Sequence, residues 1–494
     1  MAVTNTYSRE IEEMLPKNRE LFYGGRWNPA ISGEQRPVIS PANQASLGTV
    51  HWAGVLDVDA AVRAAHEGFK FWRATKPLER GKVLREAASI LRSHRRELAL
   101  IDAIDCGNPV RELVKDVDLA ASSIDYFAGL VTEVKGQTLP MGEGILNYTV
   151  REPLGVIARI SAFNHPMLFA ATKMAAPLAA GNAVILKSPD QAPLSTLRLA
   201  ELWSGLFAPG VFSVLSGGRE CGGALVGHPL VSKVGLIGSV PTGKAIARAA
   251  ADGLKKVTLE LGGKNAFVAC PDTDVAKVAD GIVKGMNFAW CGQSCGSTSR
   301  AFVHAEIYDA VVEAVRYRVE SIRPGLPSNE DTEMGCLISE SHSERVWSFI
   351  HSASSEGARL VTGARAPDDP GLSHGFYILP TVFCDVTPEM RIAREEIFGP
   401  VLSILKWHEE EELIEAVNAV EYGLTAAIWT SDLATAHRIA ARIQAGFIWI
   451  NNSSAHFAGA PFGGMKHSGI GREESIEELL DCTDVKNVNV TLTP

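Results

Sequence analysis

The sequence predicts an α/β protein whose parallel sheets are covered by helices on both faces. Three observations carry that prediction. Short β-branched runs follow one another through the first half: Gly155–Ile160 (GVIARI), Ala183–Lys187 (AVILK), Val211–Leu215 (VFSVL), Lys233–Gly238 (KVGLIG) and Lys256–Glu260 (KVTLE). Short β-branched runs that alternate with helices point to a parallel sheet covered on both faces. Helical periodicity fills the gaps between them, the alternation that builds a parallel sheet. A second α/β pattern follows over about Gly263–Ile450, and 494 residues exceed one compact core.

In chain order, helical patterns run through Val58–Phe71, Arg80–Ile101 and Val110–Val131. Between the strands, helices are expected at Pro166–Ala180, Ser195–Phe207, Glu220–Val226 and Thr242–Ala251. In the second half they are expected at Val275–Phe288, Ile307–Val319, Ser341–Ser354 and Glu409–Val420, with a strand at Phe447–Asn451. Lys135–Arg151 and the tail Val485–Leu492 read as spare strands outside either core. An alternating tail leaves a sheet edge open, and a second subunit is the simplest cover.

Composition is that of a globular chain, with 46% hydrophobic and 21% charged residues. A net charge of −10, spread along the chain, argues against nucleic acid or an anionic membrane as partner. The first residues, MAVTNTYSREIEEML, lack a basic segment followed by an apolar run, so no export signal is expected. No stretch reaches the ~18 apolar residues of a membrane helix. The expectation is a cytoplasmic protein. Its eight cysteines are scattered, so neither a disulfide framework nor a zinc site is expected, and no metal.

Several polar residues fall at strand ends, where open parallel sheets bind ligands. These are Asn164 after GVIARI, Lys187, Gly238 and Glu260. The turn Gly238–Gly243 (GSVPTG) offers backbone N–H groups at a helix start, a phosphate site or an ordinary turn. It departs from GxGxxG. With Lys244 it nearly makes a nucleotide triphosphate loop, but Ala245 lacks the hydroxyl that would hold magnesium. Gly292–Gly296 (GQSCG) admits two nucleophiles, Ser294 in a hydrolase elbow or Cys295 in a glycine-flanked turn, or a purely structural turn. Glu260 begins ELGG, Asn164 stands in AFNHP, and Pro461–Arg472 is a glycine-rich stretch without chemistry of its own. Taken singly, Glu260 fits a solvated strand end and Asn164 a turn before Pro166 better than chemistry, and Pro461–Arg472 fits a mobile loop or a close-packed wall.

Taken together they resemble the aldehyde dehydrogenase superfamily, from about Leu21 to Asp481. Eight blocks stand in the family's order: AFNHP, LKSPD, IGSVPTG, LELGGKN, GQSCGSTSR, EEIFGPV, YGLTAAIWT and PFGGMKHSG. Cys295 follows Glu260 by 35 positions, the family's spacing. The resemblance implies a Rossmann-type cofactor domain (1–130 and 152–262), an α/β catalytic domain (263–461) and a small β oligomerisation domain (131–151 and 479–494). It implies a homodimer or homotetramer oxidising a small-molecule aldehyde with NAD, NADP remaining open.

It also implies roles. Cys295 is the nucleophile rather than Ser294, Asn164 holds the oxyanion, Glu260 activates water, and Lys173 relays protons or organises the cofactor side. Lys187 meets the adenosine ribose, Gly218, Gly238, Ser239 and Gly243 line the pyrophosphate side, and Leu261 is a further cofactor-binding residue. Glu396 and Phe398 position the nicotinamide ribose. Asp190 replaces the family's usual Glu, and a carboxylate there favours NAD by repelling a 2′-phosphate. The aldehyde tunnel is expected to hold His165, Phe169, Ala289, Trp290, Ser294, His456, Phe457 and Phe462. Three often aromatic positions are here His165, Ala289 and His456, suggesting room for an aromatic or polar-tipped aldehyde whose hydroxyl or carboxylate the histidines bind. The competing expectations are a CoA-acylating enzyme of the same fold, which commonly lacks the Glu260 base, a serine hydrolase, and a non-catalytic dinucleotide-binding protein.

Overall fold

The computed structural model describes residue 7 and residues 9–492. Residues 1–6 and 8, on which the absence of an export signal partly rests, lie outside it, as do residues 493–494 of the tail.

The five expected strands form one parallel set at Val156–Ile160, Ala183–Lys187, Phe212–Leu215, Val231–Ile237 and Lys256–Glu260. Numbered along the chain, their order across the sheet is 3-2-1-4-5. The order reverses between Val156–Ile160 and Val231–Ile237, and the crevice beyond the carboxyl ends at such a reversal is where doubly wound sheets take ligands. Antiparallel strands close both edges, Leu21–Tyr23 with Arg26–Asn28 on one side and Gly469–Ile470 on the other. Gly469 pairs with Glu260, and a Cβ on it would lie 2.1 Å from the Leu259 carbonyl oxygen. Only glycine brings that strand so close.

A second sheet has seven strands in the order 359–362, 381–384, 401–407, 300–304, 266–269, 425–429 and 447–450. All pairs but the first are parallel. A third, antiparallel sheet joins Ile145–Pro153 to Thr483–Thr491 over nine residue pairs and to Thr138–Leu139. The two spare segments therefore pair with each other.

One expected helix divides. Arg80–Ile101 is two helices, Pro77–Ser93 and Arg95–Cys106, broken at His94. His94 leaves helical dihedrals (φ −109°, ψ 17°) and its Nδ1 pairs with Glu97 at 2.8 Å. No glycine or proline marks the break. Among the described residues no helix is long and apolar enough to cross a membrane.

Candidate active site

The loop that carries Cys295 is shaped by backbone constraints. It follows a short 3-10 turn, Phe288–Trp290, flanked by left-handed Asn287 and Cys291 (φ 56° and 53°). Gly292 has φ 66°, and a Cβ there would lie 2.2 Å from the Gly399 carbonyl oxygen. No strand precedes GQSCG, so the hydrolase elbow that Ser294 would need is not formed. Asn265 then ties the loop to the second sheet. Its Nδ2 donates to the carbonyls of Cys295 (2.7 Å) and Ser297 (2.9 Å), and its Oδ1 accepts from Thr425 N (3.0 Å). Sequence reasoning gave Asn265 no role, although it closes the LELGGKN block.

All eight cysteines are free, and Cys295 alone is not fully buried. It opens into a cavity of about 710 Å³, a volume typical of small-molecule sites. Glu260, Lys173, His165, Phe169, Ala289, Trp290, Ser294, His456 and Phe462 line the same cavity. Phe457 does not. It is 57% exposed, in a turn closed by Ala460 N on its own carbonyl at 2.9 Å, so the expectation of Phe457 as wall is corrected. Asn164 is buried just before His165 and is not on the lining. Its carbonyl accepts from Asn108 Nδ2 at 2.7 Å, and its side-chain amide has no partner among the described residues.

Glu260 ends its strand inside the molecule, and neither carboxylate oxygen has a hydrogen-bond partner. Burial, then the neighbouring charge of Glu473, raises its pKa well above the ordinary carboxylate range, against the pull of Lys173. Gly463 backs it so closely that a Cβ there would lie 2.9 Å from Glu260 Oε1. The glycine-rich stretch is thus a close-packed wall behind the carboxylate. Burial, with Glu260 and Glu396, pushes the Cys295 thiol up to about 12, again against Lys173.

Lys173 lies in the helix Pro166–Ala180. Pro177 has no N–H to offer the Lys173 carbonyl four residues back. That carbonyl accepts instead from Arg159 Nε at 2.7 Å. The other guanidinium nitrogens hold Glu473 (3.0 Å) and Glu478 (2.5 Å), and Lys173 Nζ meets Glu473 at 2.7 Å. Burial acts to raise Glu473, but the two cations prevail and hold it low, at about 2. Arg159, Glu473 and Glu478 were not legible as a unit, since their spacing in sequence carries no pattern.

The cofactor-side candidates gather along the crevice. Lys187 is ion-paired to Asp190. A Cβ on Gly218 would meet the Trp52 ring at 3.2 Å and Asp190 at 3.5 Å, so these groups frame one recess. Gly238 N donates to the Glu260 carbonyl at 3.0 Å, and Ser239 caps the helix Val240–Ala251. A Cβ on Gly243 would lie 2.6 Å from Leu261. Glu396 accepts from Gly263 N at 2.9 Å, and burial raises its pKa to about 7. Phe398, left-handed at φ 58°, gives its carbonyl to His342 Nε2 at 2.6 Å and sets its ring against Phe163, 5.8 Å away. Phe163 precedes Asn164, so the second half of the chain reaches the end of the first strand there.

Fold and cavity place the chain among the α/β oxidoreductases. It belongs to the aldehyde dehydrogenase family, whose model matches residues 27–488. It is 51% identical to an aldehyde dehydrogenase, tropH, of Talaromyces stipitatus, over 98% of this chain and 95% of the relative. The NAD+ complex of an aldehyde dehydrogenase from Bacillus cereus superposes with a TM-score of 0.95 at 38% identity, covering 99% of each chain. Betaine aldehyde dehydrogenase of Staphylococcus aureus in complex with NAD+ matches at 0.95 and 33%, over 98% of this chain and 97% of that one.

Proposed function

We propose that the protein oxidises an aldehyde, aromatic or polar-tipped, to its carboxylic acid with NAD, using Cys295 as nucleophile and Glu260 as base. The observation that carries this reading is the pairing of one accessible thiol with one unpartnered buried carboxylate in a single cavity. The crevice suits a dinucleotide. A capped helix start at Ser239, the close-packed Gly218 and Gly243, and carboxylates at Asp190 and Glu396 are groups that meet pyrophosphate and ribose hydroxyls. Lys187, Gly238, Leu261 and Phe398 complete that site, and Asp190 favours NAD over NADP. The nicotinamide ring supplies the acceptor for the aldehyde's hydride.

The chain's own residues do the rest. Cys295 must lose its proton, since the thiol form is a poor nucleophile. Its sulfur bonds to the carbonyl carbon, and the resulting oxyanion is held by the Cys295 backbone N–H and the unpartnered Asn164 amide. Losing one such donor typically costs ~3 kcal/mol. Once hydride has left the carbon, an acyl-thioester remains on Cys295. Glu260 takes a proton from water, the water oxygen bonds to the acyl carbon, and the C–S bond breaks to release acid and thiolate. The Lys173 ammonium, near Glu260, favours its carboxylate form and so its readiness to take that proton.

The first sheet with its helices (1–130 and 152–262) serves the cofactor, and 263–461 carries the thiol. The segments 131–151 and 479–494 join subunits of a cytoplasmic homodimer or homotetramer. A CoA-acylating reading is disfavoured by the base at Glu260.

The test follows NADH absorbance. The Cys295→Ala variant is expected to bind NAD and form no NADH. The Glu260→Gln variant is expected to give one NADH per site and then stall. Steady turnover in either variant overturns its assigned role.

A further inference from the structure

Two histidines of the cavity are held in the same way. His165 Nδ1 bonds to Asp116 Oδ2 at 2.7 Å, and His456 Nδ1 bonds to Glu474 Oε2 at 3.1 Å. A carboxylate only accepts, so each Nδ1 carries a proton, and a ring with that single proton presents a bare lone pair at Nε2. Neither Nε2 has a partner among the described residues, although both rings line the cavity. His165 is the more enclosed, its side chain 14% exposed and that of Asp116 9%. Its ring is locked between Trp290 (centroids 5.3 Å) and Phe169 (5.4 Å). His456 sits in a separate ring cluster with Phe462 at 4.8 Å.

The surroundings choose between hydroxyl and carboxylate as the group received. Directly beside the two rings stand the carboxylates Asp116 and Glu474. An anionic substrate tip would enter a field of its own sign. A hydroxyl has no charge to repel and donates the hydrogen that Nε2 lacks. The aromatic walls fit a flat ring.

Resting on the aldehyde dehydrogenase reading above, we propose that the substrate is a hydroxylated aromatic aldehyde. Its hydroxyl, remote from the carbonyl, donates to His165 Nε2, and Asp116 is the positioning residue that fixes the His165 tautomer. His456 with Glu474 offers a second acceptor of the same kind.

The test measures kcat/KM by NADH formation with benzaldehyde, 3-hydroxybenzaldehyde, 3-methoxybenzaldehyde and 3-formylbenzoate, using the full-length enzyme. The hydroxy compound is expected to exceed both benzaldehyde and the methoxy compound by about tenfold, the worth of one buried hydrogen bond. The formylbenzoate is expected to be the poorest. His165→Phe, which keeps a ring and removes the acceptor, brings the hydroxy-to-methoxy ratio to within about twofold. In Asp116→Asn the amide can accept from Nδ1–H or donate to Nδ1. Both tautomers are then open and the same ratio collapses, an effect that a merely structural role for Asp116 would not produce. Benzaldehyde and 3-hydroxybenzaldehyde turning over alike overturns the proposal and leaves the dehydrogenase reading standing. So does a preference for 3-formylbenzoate, or a hydroxy preference that survives His165→Phe. No NADH from any aldehyde overturns the underlying reading and this one with it.

Discussion

At the scale of single residues, the resting site holds Cys295 as its thiol. The Cys295 thiol is pushed up to about 12 by burial and two carboxylates. Below that value the thiolate fraction grows about tenfold per pH unit, so alkylation of Cys295 by iodoacetamide in the free enzyme is expected to do the same from pH 7 to 9. Mass spectrometry of the modified peptide reads this directly, and a rate that already flattens between pH 8 and 9 would mean an ordinary thiol titrating near ~8.5. Gly463 gives a second prediction. A methyl group at this position, where φ is +155°, would press on Glu260 Oε1 and on the Gly471 carbonyl oxygen, 2.7 Å away. Gly463→Ala is expected to slow thioester hydrolysis at least about tenfold while sparing the first NADH, because a displaced base loses its reach to water. Cys295 and Glu260, which line one cavity, and Asn164, which does not, stand in short blocks that make them candidates in the sequence. Asp116, Glu474, Glu473 and Asn265 were not legible, because each acts through a contact between segments far apart in sequence.

At the scale of elements, legibility followed burial pattern. The strands of the first sheet were found to within two residues, since each is a short run rich in β-branched residues set between helical patterns. In the second sheet Ala266–Ala269 has only four residues, and Val401–Trp407 is interrupted by Ser403 and Lys406. Neither shows the period that marks a strand. The face that the helix Val110–Gly129 turns to the cavity was also hidden. Its Glu112, Asp116, Leu119, Ser123 and Tyr126 recur every three or four residues, but as a mixed polar stripe that reads as solvated. The helix Pro166–Ala180, which follows Asn164 and His165, is anchored from outside itself. Asp102, on Arg95–Cys106, accepts from Met167 N at 3.0 Å in its first turn. Burial raises the Asp102 pKa to about 7 against that bond, with Asp116 adding to the rise and His165 opposing it. An unfolded aspartate titrates near ~3.9, so the folded state keeps its proton longer. That stabilisation is fully present below pH ~4 and is lost as pH climbs through about 7. Asparagine still accepts from Met167 N and never ionises. The Asp102→Asn variant is therefore expected to melt above the parent at pH 8, with the gap closing by pH 5. Calorimetry at both values checks it, and a gap that does not change with pH removes titration of Asp102 as the cause.

At the scale of the whole molecule, the third sheet is out of proportion to its support. Ile145–Pro153 and Thr483–Thr491 pair along their full length, yet most of the latter is exposed. Exposed apolar side chains collect on this ribbon and its approaches, including Met141, Ile145, Leu146 and Val485. An open strand edge bearing apolar groups is an invitation to association unless a partner covers it. A second copy of the chain would do so, and a two-fold arrangement would use the same patch on both subunits. Each substituted side chain then counts twice in a dimer. The double variant Leu146→Asp, Val485→Asp is expected to lower the particle mass in light scattering to that of a single 53.0 kDa chain. Its far-UV circular dichroism should match the parent's, because both side chains lie outside the cores of the two large sheets. A parent that already scatters as one chain, or a variant that keeps the parent's mass, removes this ribbon as the contact between subunits.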